Sequence, residues 1–298
     1  MIKEVIHKTP EPLSKAFFKD YLMLSKFRLS VSVVGTTLIA YYLGTVKYGL
    51  IFDFMVLFGL CLGGMLVVAA SNGFNQVIEK ETDRLMDRTQ NRPVAAGRMS
   101  VSDALIFSSV TAILGLFALA FYVNPTVAFL SLVSIFIYTL VYTPLKVKTP
   151  LAVFVGAIPG ALPPAIGWIA VTGIIDEIAV ILFLIQFFWQ FPHFWAIAWI
   201  LDDDYRKANY TLLPSFEGRT KKNALQIVLY TVWLILIAIY PLTRHFSSLN
   251  ALFFQLPAGL YLLYRTIQLY KTLTIKDAKA VMFASLIYMP IVLISYLF

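Results

Sequence analysis

The feature that most constrains this chain is a succession of nine apolar stretches, at roughly 29–46, 54–78, 103–122, 126–143, 151–172, 178–200, 223–243, 250–270 and 280–298. Each is long enough to cross a hydrocarbon core of about 30 Å as a helix rising about 1.5 Å per residue. Inside a bilayer every backbone N–H and C=O needs an internal partner, so such stretches fold as helices. Composition agrees: 59% of residues are hydrophobic and the mean hydropathy is +0.79, against about 45–50% apolar residues in soluble domains. The expected fold is an all-α membrane protein of nine transmembrane helices, residues 29–298, preceded by an N-terminal arm, 1–28.

Charge placement orients the helices. Lys and Arg crowd the arm and the connections after the second, fourth, sixth and eighth stretches; only Lys47 and Arg244 fall on the other face. Positive residues stay cytoplasmic, so the N-terminus is expected inside and the C-terminus outside. This distribution also accounts for the net charge of +8 without nucleic acid. The arm mixes Lys3, Lys8 and Lys15 with Glu4, Glu11 and Asp20. It shows no cleavable signal and is too acidic for a mitochondrial presequence, which suits the cytosolic arm of a bacterial inner-membrane protein. The single cysteine, Cys61, excludes an intramolecular disulfide and a cysteine metal cluster.

The second stretch runs into NGFNQVIEKETDRLMDRTQNRPVAAGR, residues 72–98. Asn75, Glu79, Asp83 and Asp87 recur every fourth residue, so a continuing helix sets them along one slanting ridge. Like charges so spaced repel by about 0.2–0.5 kcal/mol per pair. A hard cation removes that penalty, and oxygen ligands suit Mg²⁺. Asp87, furthest out and beside Arg88, is the least constrained of the four. The sixth stretch ends in a second acidic run, Asp202, Asp203 and Asp204. Adjacent helical residues diverge by about 100°, so at most two share a target; Asp203 and Asp204 are expected to face it, with Asp202 solvated.

Two acidic motifs facing each other at the mouth of a bundle could hold Mg²⁺ and, through it, a diphosphate. Arg88, Arg92, Lys146 and Lys148 are placed to contact the phosphates. Arg98, Lys207, Arg219, Lys221 and Lys222 read as ordinary charges of the cytoplasmic face. A diphosphate whose apolar tail lies in the bilayer is a prenyl diphosphate. Loss of diphosphate from its allylic carbon leaves a cation that aromatic faces stabilise.

The fifth stretch is dense in helix breakers: Gly156, Pro159, Gly160, Pro163, Pro164 and Gly167. It predicts either a distorted helix or close packing. His193 is the one histidine inside a predicted span. An intramembrane histidine is a functional candidate, and three roles are open: iron ligand, proton carrier, or interhelical hydrogen-bond donor. Trp189 and Trp195 beside it either wall a flat aromatic ligand or pack.

With these residues in place the chain resembles the UbiA superfamily of intramembrane prenyltransferases. The resemblance rests on Asn75-Gln76, Glu79 and Asp83, followed by Asp87-Arg88-Thr89 and Asn91-Arg92-Pro93, and covers most of the chain. Within the superfamily it is most similar to the branch that farnesylates protohaem IX. Four features carry that similarity: Asn75-Gln76 with Glu79; Thr149-Pro150 and the Gly-Ala, Pro-Pro and Gly-Trp series after it; Pro192-His193-Phe194-Trp195; and Asp203-Asp204-Tyr205 leading to Leu212-Leu213-Pro214. Asn209 stands where the family usually has glycine, and asparagine enters a left-handed turn readily.

The resemblance implies a UbiA-type bundle at the cytoplasmic side of the bacterial inner membrane. It implies that farnesyl diphosphate ionises with Mg²⁺ and that a vinyl group of haem B captures the farnesyl group. Asn75, Glu79 and Asp83 would bind metal and diphosphate, opposite Asp203 and Asp204. Lys146 and Lys148 would hold the phosphates, Lys148 in place of an arginine common in the family. His193, Trp189 and Trp195 would meet the haem. The product would pass towards haem A synthase or terminal-oxidase assembly. Two other readings stand beside it: prenylation of an aromatic acid or quinone precursor by the same motifs, and a transporter. No basic residue lies mid-span to clamp an acidic acceptor, and the acids gather at one face rather than at the midplane a transporter uses.

Overall fold

A computed structural model describes residues 13–298, with side chains from Phe18 onward. The part of the predicted arm before Leu13 lies outside the described residues. Every regular element among the described residues is helical. A short helix, α1 (Leu13–Leu24), leads into α2 (Phe27–Lys47) and α3 (Phe54–Ile78). The acidic stretch forms α4 (Lys80–Leu85). Next come α5 (Val101–Tyr122) and α6 (Pro125–Phe136), which runs through a π-helical turn, Ile137–Tyr142, into the short α7 (Thr143–Leu145). The second half holds α8 (Ala152–Thr172), α9 (Glu177–Lys207), α10 (Lys221–Ile239), α11 (Leu252–Thr272) and α12 (Ile275–Ser295).

Helix starts follow local chemistry. Asp53, Ser100, Asn124, Asp176, Thr220 and Thr274 each accept a backbone N–H of the first turn they precede, removing one of the orphan donors at a helix N-terminus. Asn209 adopts the expected left-handed backbone, φ 57°.

Eight helices, among the described residues, are long and apolar enough to cross a membrane. The predicted stretch 250–270 is helical as α11, but Gln255, Arg265, Gln268 and Lys271 lower its apolarity. Chains of side-by-side packing run α5–α3–α2–α8–α9 and α9–α10–α11–α12, with α12 returning to α9. Lipid-facing apolar side chains such as Phe117, Phe121, Phe253 and Phe283 remain exposed, as a bilayer solvent demands and water would not.

The breaker-rich helix α8 stays helical throughout, so the outcome is close packing rather than unwinding. A Cβ at Gly167 would stand 2.0 Å from the Thr37 carbonyl oxygen on α2, and one at Gly160 2.1 Å from the Gln190 side-chain oxygen on α9. A Cβ at Gly156 would meet the Tyr142 ring at 2.6 Å. These glycines let three neighbours approach α8 at backbone distance. Pro163 and Pro164 have no N–H to offer the carbonyls four residues back, those of Pro159 and Gly160.

Candidate active site

A cavity of about 480 Å³ opens between α2, α3, α6, α8 and α9. Its inner wall is apolar, with Leu29, Val33, Leu60, Val67, Leu119 and Ile166. Its mouth carries Lys26, Asn75, Glu79, Asp83, Arg92 and Lys146. The shape suits a ligand with an anionic head and a long apolar tail.

The acid ridge survives a break in the helix. Glu79 ends α3 with φ −87° and ψ 7°, yet Glu79 N–H still donates to the Asn75 carbonyl at 2.9 Å and Asp83 N–H to that of Glu79 at 2.7 Å. The three side chains therefore share one side, as the spacing predicts. Asp87 does not join them. Met86 turns extended, φ −101° and ψ 132°, so the ridge stops one step short and the Asp87 carboxylate pairs with Lys207 at 2.5 Å.

Basic groups already neutralise the ridge. Lys146 Nζ stands 2.7 Å from Glu79 Oε1. Arg92 donates to both Asp83 oxygens, at 2.8 and 2.6 Å, and lies 3.6 Å from Glu79. Burial pushes the Glu79 carboxyl up, but Lys146, Lys26 and Arg92 outweigh it and hold it below the usual carboxylate range. Burial also opposes charge on Lys146, and Tyr142 and Glu79 more than offset it, keeping the ammonium protonated. Asp83 is pushed up by burial and by the Glu79 charge, against the pull of Arg92.

Asn75 is held from below. Thr143 Oγ1 donates to the Tyr138 carbonyl at 2.8 Å, so it accepts from Asn75 Nδ2 at 3.0 Å. That fixes the amide with its oxygen left over as a donor atom for a cation. Among the described residues no three His, Cys, Asp or Glu side chains converge as a metal cluster. Two carboxylates and an amide oxygen are nonetheless the ligand set Mg²⁺ takes when substrate phosphates complete its shell.

The second acidic run departs from the sequence expectation. The helix α9 continues to Lys207, so the three aspartates point three ways. Asp202, expected to be solvated, is buried and paired with Arg206 at 2.9 Å. Asp203, expected to face the first motif, is exposed and pairs with Arg219 at 3.0 Å. Asp204 accepts the backbone N–H groups of Asp87 and Arg88, at 2.8 and 3.2 Å. It therefore shapes the loop beneath the first motif and does not line the cavity. At roughly 46 Å the 31-residue α9 is longer than the hydrocarbon core, which places this run beyond it.

Of the predicted phosphate contacts, Arg88, Arg92 and Lys146 line the cavity, while Lys148 is exposed and stands outside it. The haem candidates lie beside the cavity rather than on its wall. Trp195 is sealed among Phe154, Phe191 and Tyr230 and cannot touch a ligand. Trp189 and His193 face α12.

Several wall residues were not read from the sequence. Lys26 precedes α2 in a left-handed conformation, φ 47°, and burial brings its amine down to about 7. A lysine between two helices in an apparent linker gives no spacing signal. Tyr138 and Tyr142 reach the wall through the π-helical turn, which sequence periodicity does not reveal. Tyr210 hydrogen-bonds Thr82 at 2.8 Å and completes the mouth.

A helical membrane bundle with an apolar cavity under a paired acid–base mouth is the architecture of an intramembrane prenyl-transfer site. The chain belongs to the UbiA prenyltransferase family, which it matches over residues 33–287. It is 45% identical to the protoheme IX farnesyltransferase of Christiangramia forsetii, over 95% of this chain and 94% of that one. It is 44% identical to the protoheme IX farnesyltransferase of Flavobacterium psychrophilum, over 96% of each. Its fold matches a solved digeranylgeranylglyceryl phosphate synthase with a TM-score of 0.75 at 20% identity, covering 94% of this chain and 97% of that one. It also matches a UbiA homologue from Archaeoglobus fulgidus bound to GPP and Mg²⁺, with a TM-score of 0.61 at 16% identity, over 93% and 99%.

Proposed function

We propose that this membrane protein transfers the farnesyl group of farnesyl diphosphate to a vinyl group of haem B, giving haem O and diphosphate. The carrying observation is near-full-length identity of 44–45% to protoheme IX farnesyltransferases, joined to a cavity whose head and tail chemistry fits a prenyl diphosphate.

Asn75, Glu79 and Asp83 would hold Mg²⁺, which neutralises the diphosphate and makes it a competent leaving group. Lys146 and Arg92, now on Glu79 and Asp83, would swing to the phosphate oxygens, with Arg88 and Lys26 beside them. The tail would lie along Leu29, Val33, Leu60 and Leu119. The bond from the allylic carbon to oxygen breaks and its electron pair leaves with diphosphate. The ring faces of Tyr138 and Tyr142 at the wall stabilise positive charge there. The terminal vinyl carbon bonds to the allylic carbon, and water adds to the inner vinyl carbon and loses a proton.

Nine crossings, a cytoplasmic active site in the bacterial inner membrane, and onward passage of product to haem A synthase or oxidase assembly belong to the same proposal; the one-sided Lys and Arg distribution supports the orientation. Analysis of haems extracted from cells with and without the protein tests it. Haem O is expected only with the protein. Membranes that farnesylate 4-hydroxybenzoate and leave haem B untouched would overturn it.

A further inference from the structure

Below its charged mouth the cavity wall carries few polar side chains. Thr37 and Ser71 spend their hydroxyls on carbonyls of their own helices, at 3.4 and 3.0 Å. Gln190 does not. It lines the cavity from α9 and is 2% exposed. Its Nε2 donates to the Ala157 carbonyl on α8 at 2.9 Å and to the Gln186 carbonyl at 3.3 Å. Two carbonyl partners fix which end of the amide is nitrogen. The oxygen is left over, since no described residue donates to Oε1. The Gln186 amide oxygen, by contrast, is sealed in the core and is not cavity wall.

Other oxygens join it. Pro163 and Pro164 leave the carbonyls of Pro159 and Gly160 without their usual helical donors, and both residues line the cavity. Ser131 and Ser134 face the same cavity from α6, Ser131 being 4% exposed. No described residue hydrogen-bonds either hydroxyl. The helices α6 and α8 run antiparallel between two anchors. At one end Asn124 donates to the Ile169 carbonyl at 3.1 Å; at the other Gly156 meets the Tyr142 ring. Ser131, Ser134, Gly160 and Pro163 all fall between them. Gly160 abuts Gln190 Oε1 and follows Gly156 by one turn, so the oxygen lies about 6 Å deeper than the Tyr142 ring.

Once a prenyl tail and a flat acceptor cover the apolar wall, these oxygens lose their solvent. That is costly unless a water stays with them. A buried water takes about two to four polar partners, which this group supplies. Held through its hydrogens by acceptors, such a water keeps a lone pair for an electrophile.

We infer that Gln190 Oε1, with the Ser131 and Ser134 hydroxyls, holds the water that adds to the inner vinyl carbon. The inference rests on haem B being the acceptor. The water lone pair forms the carbon–oxygen bond to the cationic carbon. The O–H bond breaks, and its proton passes to the diphosphate released at the mouth. Without a held water the same cation loses a proton from the neighbouring carbon instead and gives an alkene, lighter by one water.

The test incubates the purified full-length protein in detergent with Mg²⁺, farnesyl diphosphate and haem B, and reads the ratio of alcohol to alkene among farnesylated haems by mass spectrometry. Farnesyl diphosphate binding, measured separately, reports the fold. The wild type is expected to give the alcohol. Gln190→Leu should shift the ratio towards alkene by about tenfold, the worth of one hydrogen bond. Gln190→Glu keeps an acceptor oxygen and should restore the alcohol. Ser131→Ala combined with Ser134→Ala should shift the ratio in the same direction. A loss of packing alone lowers total product and leaves the ratio where it was. An unmoved ratio in a folded Gln190→Leu overturns the role of Gln190, and an unmoved ratio in the double serine variant overturns that of the hydroxyls. If Gln190→Leu loses farnesyl diphosphate binding, the double serine variant decides for the site as a whole. A wild type that leaves haem B unmodified overturns the acceptor and this site with it, a result distinct from farnesylated haem with an unmoved ratio.

Discussion

Lys146 Nζ lies between two partners, 2.7 Å from Glu79 Oε1 and 4.4 Å from the centroid of the Tyr142 ring. Both charges are withdrawn from solvent. Removing one partner of such a pair leaves the other charge buried and uncompensated. Lys146→Met should lower stability by about 3–5 kcal/mol, read as a fall in the detergent melting temperature. Lys146→Met combined with Glu79→Gln should recover most of that loss while remaining inactive. A single variant as stable as the wild type would show that the pair is not buried.

Asp83 takes both of its hydrogen bonds from Arg92. Asp83→Asn keeps the shape but removes the carboxylate charge proposed to hold Mg²⁺. Diphosphate release should fall by at least about 100-fold, the scale seen when one electrostatic contact to a transition state is lost. Chelation of divalent metal should abolish wild-type release, and Mg²⁺ should restore it. Metal-independent release by the variant at the wild-type rate would remove Asp83 from the site.

Asp203 and Asp204 are adjacent in sequence and opposite in consequence. Asp203 is exposed and paired with Arg219, an arrangement worth about 0.2–1 kcal/mol. Asp203→Asn should stay within about fivefold of wild-type turnover, the most such a pair's energy corresponds to. Asp204→Ala frees two backbone N–H groups in the loop after α4. It should raise KM for farnesyl diphosphate more than Asp203→Asn does. Steady-state kinetics on the two variants side by side decides this.

Gly167 allows α8 to touch the α2 backbone, and a methyl there would lie 2.0 Å from the Thr37 oxygen. Backbone cannot yield as a side chain can. Gly167→Ala should cost about 1–3 kcal/mol, visible as a lower melting temperature. Gly35→Ala is the control, since nothing stands within 4 Å of its added Cβ. Equal melting temperatures for the two would sink the packing argument.

Eight of the nine expected spans, the spacing of the first acid motif and the left-handed turn at Asn209 were legible because each depends on local pattern alone. Asn75, Glu79 and Asp83 share one side because their spacing equals the helix repeat, whatever surrounds them. The second motif failed on phase. Where three successive aspartates point depends on how far α9 continues past the membrane, and it continues to Lys207. Lys148 fell outside the cavity it was expected to serve, and Lys26, given no role by the sequence, lines it, for a related reason. Each lies beside a helix end, where one backbone angle decides whether a side chain turns inward. His193 was visible as a residue but its partner was not, because Ser285 lies 92 positions away.

The π-helical turn at Ile137–Tyr142 behaves as one residue inserted into a helix. The wider turn absorbs that residue, so Thr143 and Lys146, directly after it, face as they would in a regular α-helix one residue shorter. Tightening 137–142 into regular α-helix at unchanged length would rotate everything after it by about 100°, swinging Thr143 away from Asn75 and Lys146 away from Glu79. The reading frame of this single turn, more than the identity of any residue in it, decides whether the two halves of the mouth face each other.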